Sequence, residues 1–344
     1  MSREFLRNKF IARSGFNNSQ LEKIQDDLST RNYFRIRHDL GSNIVMDCPP
    51  DTNNFHSFID ISKYLFTHGF SVPEIYDIDL QDGFILMEDF GHHRISDILS
   101  DDFKLPDELD EEKIYKRTID VLVKLHSIKP MENLQNISDD EYILESTKFI
   151  EYYADIVNGE PLPEKLKEEF QEILKNLLNI SKIYTPVMML KDYHVENLFW
   201  LPDRAGLQKI GLIDYQDAKI ASPAYDIVSI LEDARRDVSP ELTSKMISHY
   251  LKSFPNYDRK DFMTAFHILG AQRNLKIIGQ FACKASKDKH SYLLQLLPRV
   301  IGYLKNDLKH PILLFLKEWL EKAVPQRGVV SALTYGSGNT RIIV

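Results

Sequence analysis

"LKDYHVENLFW", residues 190–200, follows directly on the apolar run Val187-Met188-Met189-Leu190 and sets Asp192, His194, Glu196 and Asn197 within six positions. A short apolar run bounded by polar residues reads as a buried strand, so these side chains gather at a strand end. A second cluster answers the first. "KIGLIDYQDA" carries a short apolar strand, Ile210 to Ile213, ended by Asp214, which lies 22 residues beyond Asp192. Asp226 follows in "SPAYDIVSIL", at the start of a helical pattern. The intervening "LFWLPDRAGLQKI" is long enough for a hairpin that returns the chain to the same edge.

Three readings fit such clusters. Asp and Asn favour turns because they hydrogen-bond their own backbone. His194 with Glu196 suggests zinc, but no H-E-x-x-H pattern is present. The third is phosphoryl transfer from ATP, whose loose transition state leaves the protein mainly positioning and charge neutralisation. It needs one carboxylate to take the acceptor's proton and hard oxygen ligands to hold Mg²⁺ against the phosphates. Asp192 fits the base, and Asn197 and Asp214 fit the metal ligands. D-x-x-x-x-N alone arises often by chance; the strand ending in Asp214 and the "P-x-x-D" at Asp226 make the set specific.

The rest of the chain is compatible with an enzyme of that kind. Its 344 residues are 43% hydrophobic and 27% charged, ordinary globular composition. The net charge of −8 is opposite in sign to that of a nucleic-acid binder. No run of 18 apolar residues suggests a membrane span, and "MSREFLRNKF" lacks the apolar middle of a secretory signal. Cys48 and Cys283 make neither a disulfide framework nor a zinc site of the usual spacing. A cytoplasmic, reduced protein is the simplest expectation. The acidic patch at residues 101–112 reads as solvated surface.

Residues 1–90 read as mixed. Helical spacing in "FLRNKFIARS" precedes strands at Tyr33–Arg37 and Ile44–Met46. A helix then carries Phe55, Phe58, Ile59, Ser62, Leu65 and Phe66 on one stripe, and a strand follows at Phe84–Met87. Residues 91–322 read as mostly helical, with helices near 113–128, 141–156 and 164–180, a β interlude over 186–214, and long helices over 224–322. The tail, 323–344, has neither helical period nor alternation.

The chain resembles the aminoglycoside phosphotransferase-like branch of the protein-kinase superfamily. Within it, the chain is similar to bacterial anomeric N-acetylmuramate/N-acetylglucosamine kinases. The resemblance rests on "STRNYFRI", "IVMDCPP", "ILMEDFG", "LKDYHVENLFW", "GLIDYQDAKIASPAYDIVSILEDARRDVSPEL" and "AQRNLKIIGQFA", and is most specific over 190–238. It implies an α+β, two-lobed kinase-like fold with a small mixed β-sheet N-lobe, a mainly helical C-lobe, and ATP in the cleft. It also implies the metal roles assigned above.

Two departures bear on the nucleotide. The third N-lobe strand of a protein kinase carries a phosphate-binding Lys, where "IVMDCPP" has Met46 and Asp47. The phosphate loop lacks glycine, with Ser29 and Thr30 where a backbone cradle would sit. Arg35, aided by Arg31, is the candidate replacement charge, because a guanidinium binds phosphate oxygens bidentately. Met87 and Glu88 resemble the hinge that pairs with adenine, and Asp226 reads as a structural bond to the catalytic loop. His194, Asp217, Arg235 and Arg236 are candidates for the acceptor, with the tyrosines of "EYYADIV". Two arginines in "LEDARRDVSPEL" suit a neutral or carboxylate-bearing sugar better than a polycationic aminoglycoside. The expectation is therefore an ATP- and Mg²⁺-dependent kinase of a small sugar's hydroxyl, with no nucleic-acid or membrane partner. The alternatives are a non-catalytic nucleotide-binding scaffold and an antibiotic-modifying phosphotransferase.

Overall fold

The computed structural model describes residues 2–17, 19–24, 31–49, 54–106, 109–287 and 290–324. These form two compact units, one of residues 1–121 and 195–218, the other of residues 122–194 and 219–344.

In the first unit, helix α1 (Arg3–Arg13) starts where the Ser2 hydroxyl accepts from Phe5 N–H at 3.3 Å, satisfying one of the free donors of a helix start. A five-stranded sheet follows: β1 (Gln20–Ile24), β2 (Asn32–His38), β3 (Gly41–Asp47), β4 (Ile75–Asp79) and β5 (Phe84–Glu88), ordered β1-β2-β3-β5-β4. Helix α2 (Asn54–Thr67) connects β3 to β4. Every pairing is antiparallel, which corrects the expectation of a mixed sheet. The crossover makes β3 and β4 run the same way, but β5 lies between them and runs against both. Phe10 and Ile11 of α1 pack on Phe34, Ile36, Val45, Phe84 and Leu86 as one apolar core. On α2, Ile61 is buried and Phe66 is 52% exposed, so the apolar stripe is shifted from the predicted one.

The hairpin of β7 (Leu198–Trp200) and β8 (Ile210–Leu212) belongs to this first unit. Leu212 N–H donates to Ser71 and Trp200 N–H to His93, each at 2.8 Å. Gly211 allows the hairpin to lie on Phe90, since a Cβ there would come within 2.7 Å of the ring. The unit also contains the short α3 (Ile95–Ile98) and the start of α4 (Glu111–Ser127). Long-range backbone bonds carry residues 195–218 back to the first unit, and local pattern does not reveal them.

The second unit is mainly helical, with a two-stranded sheet of β6 (Val187–Met189) and β9 (Lys219–Ala221). The predicted helix over 141–156 is interrupted: α5 (Asp139–Phe149) passes into a π-helical turn, Ile150–Ala154, before α6 (Asp155–Asn158). The next helices are α7 (Glu164–Ser181), α8 (Ala224–Leu231), α9 (Pro240–Lys252) and the 29-residue α10 (Arg259–Lys287). Gly279 of α10 meets α5 where the π turn begins, and a Cβ there would lie 2.3 Å from the Lys148 and Phe149 backbone. Helices α11 (Leu297–Asp307) and α12 (Leu314–Ala323) complete the unit, whose core includes Phe149, Phe170, Leu275, Ile278 and Trp319. Residues 325–344, most of the expected loose tail, lie outside the described residues. Among the described residues, no helix is long and apolar enough to cross a membrane.

Candidate active site

In the second unit, β6 ends at Met189 and the chain turns at once. Asp226, in the first turn of α8 and 1% exposed, accepts the N–H groups of Leu190 at 2.6 Å and Lys191 at 3.0 Å. Asp226 therefore has the structural role read from the sequence. Burial pushes its carboxyl up to about 7, against the pull of those two N–H groups. Lys191 takes φ 75, and Asp192 N–H bonds back to Leu190 O at 3.0 Å. A three-residue turn with positive φ at its centre is rare and strained. His194 N–H bonds Asp192 O at 3.2 Å, and its side chain is buried. Asp192 itself is half-buried.

Four other charges tie this loop down. The Lys191 ammonium lies 3.4 Å from Glu141 and 2.9 Å from Glu145, both on α5. Lys219 pairs with Glu141 at 2.6 Å and Lys276 of α10 with Glu145 at 3.2 Å. The sequence analysis did not find this ladder. Its one local signal was Glu141 and Glu145 four apart, hence on one helical face.

In the first unit, the β7–β8 register Leu198↔Leu212 brings Asn197 and Asp214 to the same hairpin end. Asn197 closes a 3₁₀ turn, Val195–Asn197, and its carbonyl accepts from Ile213 N–H at 3.1 Å. The Asn197 amide reaches the Asp214 carboxylate at 3.5 Å. Asp214 has φ 59 and a side chain 38% exposed; Asp is among the residue types that tolerate this left-handed region. Its Oδ1 accepts from Gln216 at 2.9 Å and Arg31 at 3.2 Å.

This donor set fits Mg²⁺. Asn197 and Asp214 are close enough for one cation to touch both, and an amide turned through half a circle presents oxygen. Mg²⁺ takes one or two such protein ligands and fills its octahedron with phosphate and water. Among the described residues, no group of three or more His, Cys, Asp and Glu could hold a metal ion.

The two candidate arginines separate. Arg35 is held by Asp89 through Nε at 2.6 Å and Nη2 at 3.1 Å, while Ser42 and Gly91 N–H also bond that carboxylate. Burial would raise the Asp89 carboxyl, but the Arg35 and Ser42 bonds outweigh it and hold it below 3.8. Arg35 is thus committed to a buried pair, whereas Arg31 lies on Asp214. Met46 is fully buried in β3, and Asp47 pairs with Arg3 and Arg7. Met87 is buried in β5 between Ile44 and Ile75. Glu88 donates its N–H to Glu74 O at 2.9 Å and pairs with Arg204, so that N–H does not read adenine. Ser29 and Thr30 lie outside the described residues.

The acceptor candidates also divide. Asp217 accepts from Gln216 at 3.1 Å in the first unit. In the second unit, Arg235 and Arg236 are half-buried on a segment pinned from both flanks. Asn274 bonds the Glu232 carboxylate at 2.8 Å, and the Tyr303 hydroxyl bonds Arg236 O at 2.9 Å. Glu232 and Asp233 are buried, and Asp237 is held by Arg299 at 2.5 and 2.9 Å. Glu232, Asp233 and Asp237 of "LEDARRDVSPEL" are thus held within the scaffold. In "EYYADIV", Tyr153 is buried against Phe149 and Tyr152 accepts from Lys287.

The chain is 28% identical to an N-acetylmuramate/N-acetylglucosamine kinase of Caulobacter vibrioides, over 94% of this chain and 97% of that protein. It is 26% identical to one from Pseudomonas aeruginosa, over 90% and 89%. In fold it is similar to choline kinase LicA from Streptococcus pneumoniae (TM-score 0.60, 14% identity, covering 88% of this chain and 99% of that one). It is likewise similar to the GDP complex of aminoglycoside 2'-phosphotransferase-IIIa (TM-score 0.61, 12% identity, 89% and 100%). These neighbours share the two-lobed kinase-like fold expected from the sequence. The phosphotransferase enzyme family matches residues 20–263, which contain Asp192, Asn197 and Asp214, and the chain belongs to that family.

Proposed function

We propose that the chain is an ATP- and Mg²⁺-dependent kinase of the anomeric hydroxyl of an N-acetylated amino sugar. The observation that carries the reaction is the pairing of Asn197 with Asp214 at one hairpin end, with Asp192 on the loop five positions before Asn197. The names of the full-length relatives support the acceptor. In this reading Asp192 accepts the proton of the anomeric hydroxyl, which is more acidic than an ordinary alcohol. The sugar oxygen forms its bond to the γ-phosphorus as the bond to the β–γ bridging oxygen breaks, giving ADP and a sugar 1-phosphate. Asn197 and Asp214 would hold Mg²⁺, which when bound neutralises phosphate charge. Arg31 adds a fixed cation beside Asp214, and Arg235 and Arg236 favour a neutral or carboxylate-bearing sugar over a polycation.

The test is to incubate the protein with ATP, Mg²⁺ and N-acetylmuramate or N-acetylglucosamine and follow the anomeric signals by NMR. A sugar 1-phosphate should appear. Turnover only with kanamycin-like polycations, or binding of ATP without transfer to any sugar, would overturn the reading.

A further inference from the structure

We propose that Lys191 is a positioning residue: its ammonium, clamped by Glu141 and Glu145, pins the strained turn from which Asp192 extends. This rests on reading Asp192 as the base. Among the described residues, three that are not glycine have positive φ: Asn133, Lys191 and Asp214. Asn and Asp tolerate that region through their short polar side chains, whereas Lys has no such help. Elsewhere the chain places glycine at positive φ seven times among the described residues. A glycine at 191 would relieve the strain, so a lysine there points to use of its side chain.

That side chain is tightly held. It is 13% exposed and lies between two carboxylates on successive turns of α5. Burial pulls its pKa down, but Glu145 and the other groups around it together outweigh burial and raise it. Neither carboxylate depends on it, because Glu141 also has Lys219 and Glu145 also has Lys276. Removing the Lys191 ammonium would therefore leave the contact between α5 and its neighbours paired. What it would release is the loop. Two restraints then act on one peptide unit from opposite ends: Asp226 holds its N–H and α5 holds its side chain. Asp192 is the next residue.

The experiment compares Lys191→Gly, Lys191→Arg and Asp192→Asn with the wild type in steady-state sugar phosphorylation and in thermal unfolding. Lys191→Gly should keep its Tm, because relief of strain offsets the lost pairs. Its kcat should fall roughly tenfold to a hundredfold through misplacement of the base, with the KM values for ATP and sugar within about twofold. Lys191→Arg, which keeps the charge, should recover most of that loss. A fall in Tm with kcat intact, or a Lys191→Gly chain that does not fold beside an Arg variant of normal kcat and KM, would make Lys191 merely structural. If Asp192→Asn is slow while Lys191→Gly is normal, only the positioning role fails. If Asp192→Asn itself turns over normally, the assignment of the base fails.

Discussion

Asp226 and Asp89 are both buried carboxylates beside a proposed functional segment, and they act in opposite ways. Asp226 accepts two backbone N–H groups and no charged donor is bonded to it, so burial pushes it up to about 7. Asp89 accepts from the Arg35 guanidinium, and its carboxyl is held below 3.8 despite burial. One carboxylate fixes the path of a main chain; the other fixes a cation. A buried charge on a side-chain partner immobilises that partner, here Arg35. A carboxylate on backbone donors sets a conformation, here the strained turn at Lys191.

The largest expected effect comes from breaking the Asp89 pair. Arg35→Ala leaves a buried carboxylate without its cation, so denaturant unfolding should show a loss of about 3–5 kcal/mol. The KM for ATP should change little in whatever protein remains folded. Asp226→Asn comes next. Its amide can accept from one of the two backbone N–H groups and must face the other with its own NH₂, a cost of about 1–3 kcal/mol. Because the turn before Asp192 loosens, kcat should fall further than the lost stability explains. Smaller again is Arg31→Ala, which should raise the KM for ATP about tenfold by removing one charge-assisted bond while kcat holds. Equal KM effects from Arg31→Ala and Arg35→Ala would erase the distinction between the two arginines.

Stability should also depend on pH, with opposite signs for the two carboxylates. The folded Asp226 carboxyl titrates above its ordinary 3.8, so its contribution is full below that value and is lost as pH rises through about 7. The folded Asp89 carboxyl titrates below 3.8, so its contribution is present above that value and is lost as pH falls through the folded pKa. Thermal unfolding across pH should therefore show Asp226→Asn flattening the neutral limb and Asp89→Asn the acid limb. An unchanged neutral slope in Asp226→Asn would mean that Asp226 is already ionised at low pH.

The elements nearest the chemistry were legible because their signals are local. The apolar runs before Asp192 and Asp214 became β6 and β8, and the intervening chain became a hairpin that sets Asn197 beside Asp214. Asp226 was readable from its place at a helix start. The pairing of Arg35 with Asp89 was not legible, because the two residues are 54 positions apart. The ladder through Lys219, Glu141, Lys191, Glu145 and Lys276 was missed for the same reason: it joins a loop, a strand and two helices. Strands β1, β4 and β9 were missed too, β4 pairing with β5. Leu21 in "QLEKI" is half-buried between polar neighbours, and "KIA" is only three residues long, too short for period two to register. Backbone pairing with β2 and β6 makes them strands.

The most direct test of the division of labour between Asp192 and the Asn197–Asp214 pair is a single-turnover measurement with γ-labelled ATP. It would be run on wild type, Asp192→Asn and Asp214→Ala, with nucleotide affinity measured with and without Mg²⁺. Asp192→Asn should bind ATP as the wild type does, with full Mg²⁺ dependence, and transfer the phosphoryl group about 10²–10⁴ times more slowly. Asp214→Ala should lose the Mg²⁺ dependence of ATP binding itself. Near-normal transfer by Asp192→Asn, or equal ATP affinity with and without Mg²⁺ in the wild type, would contradict the account.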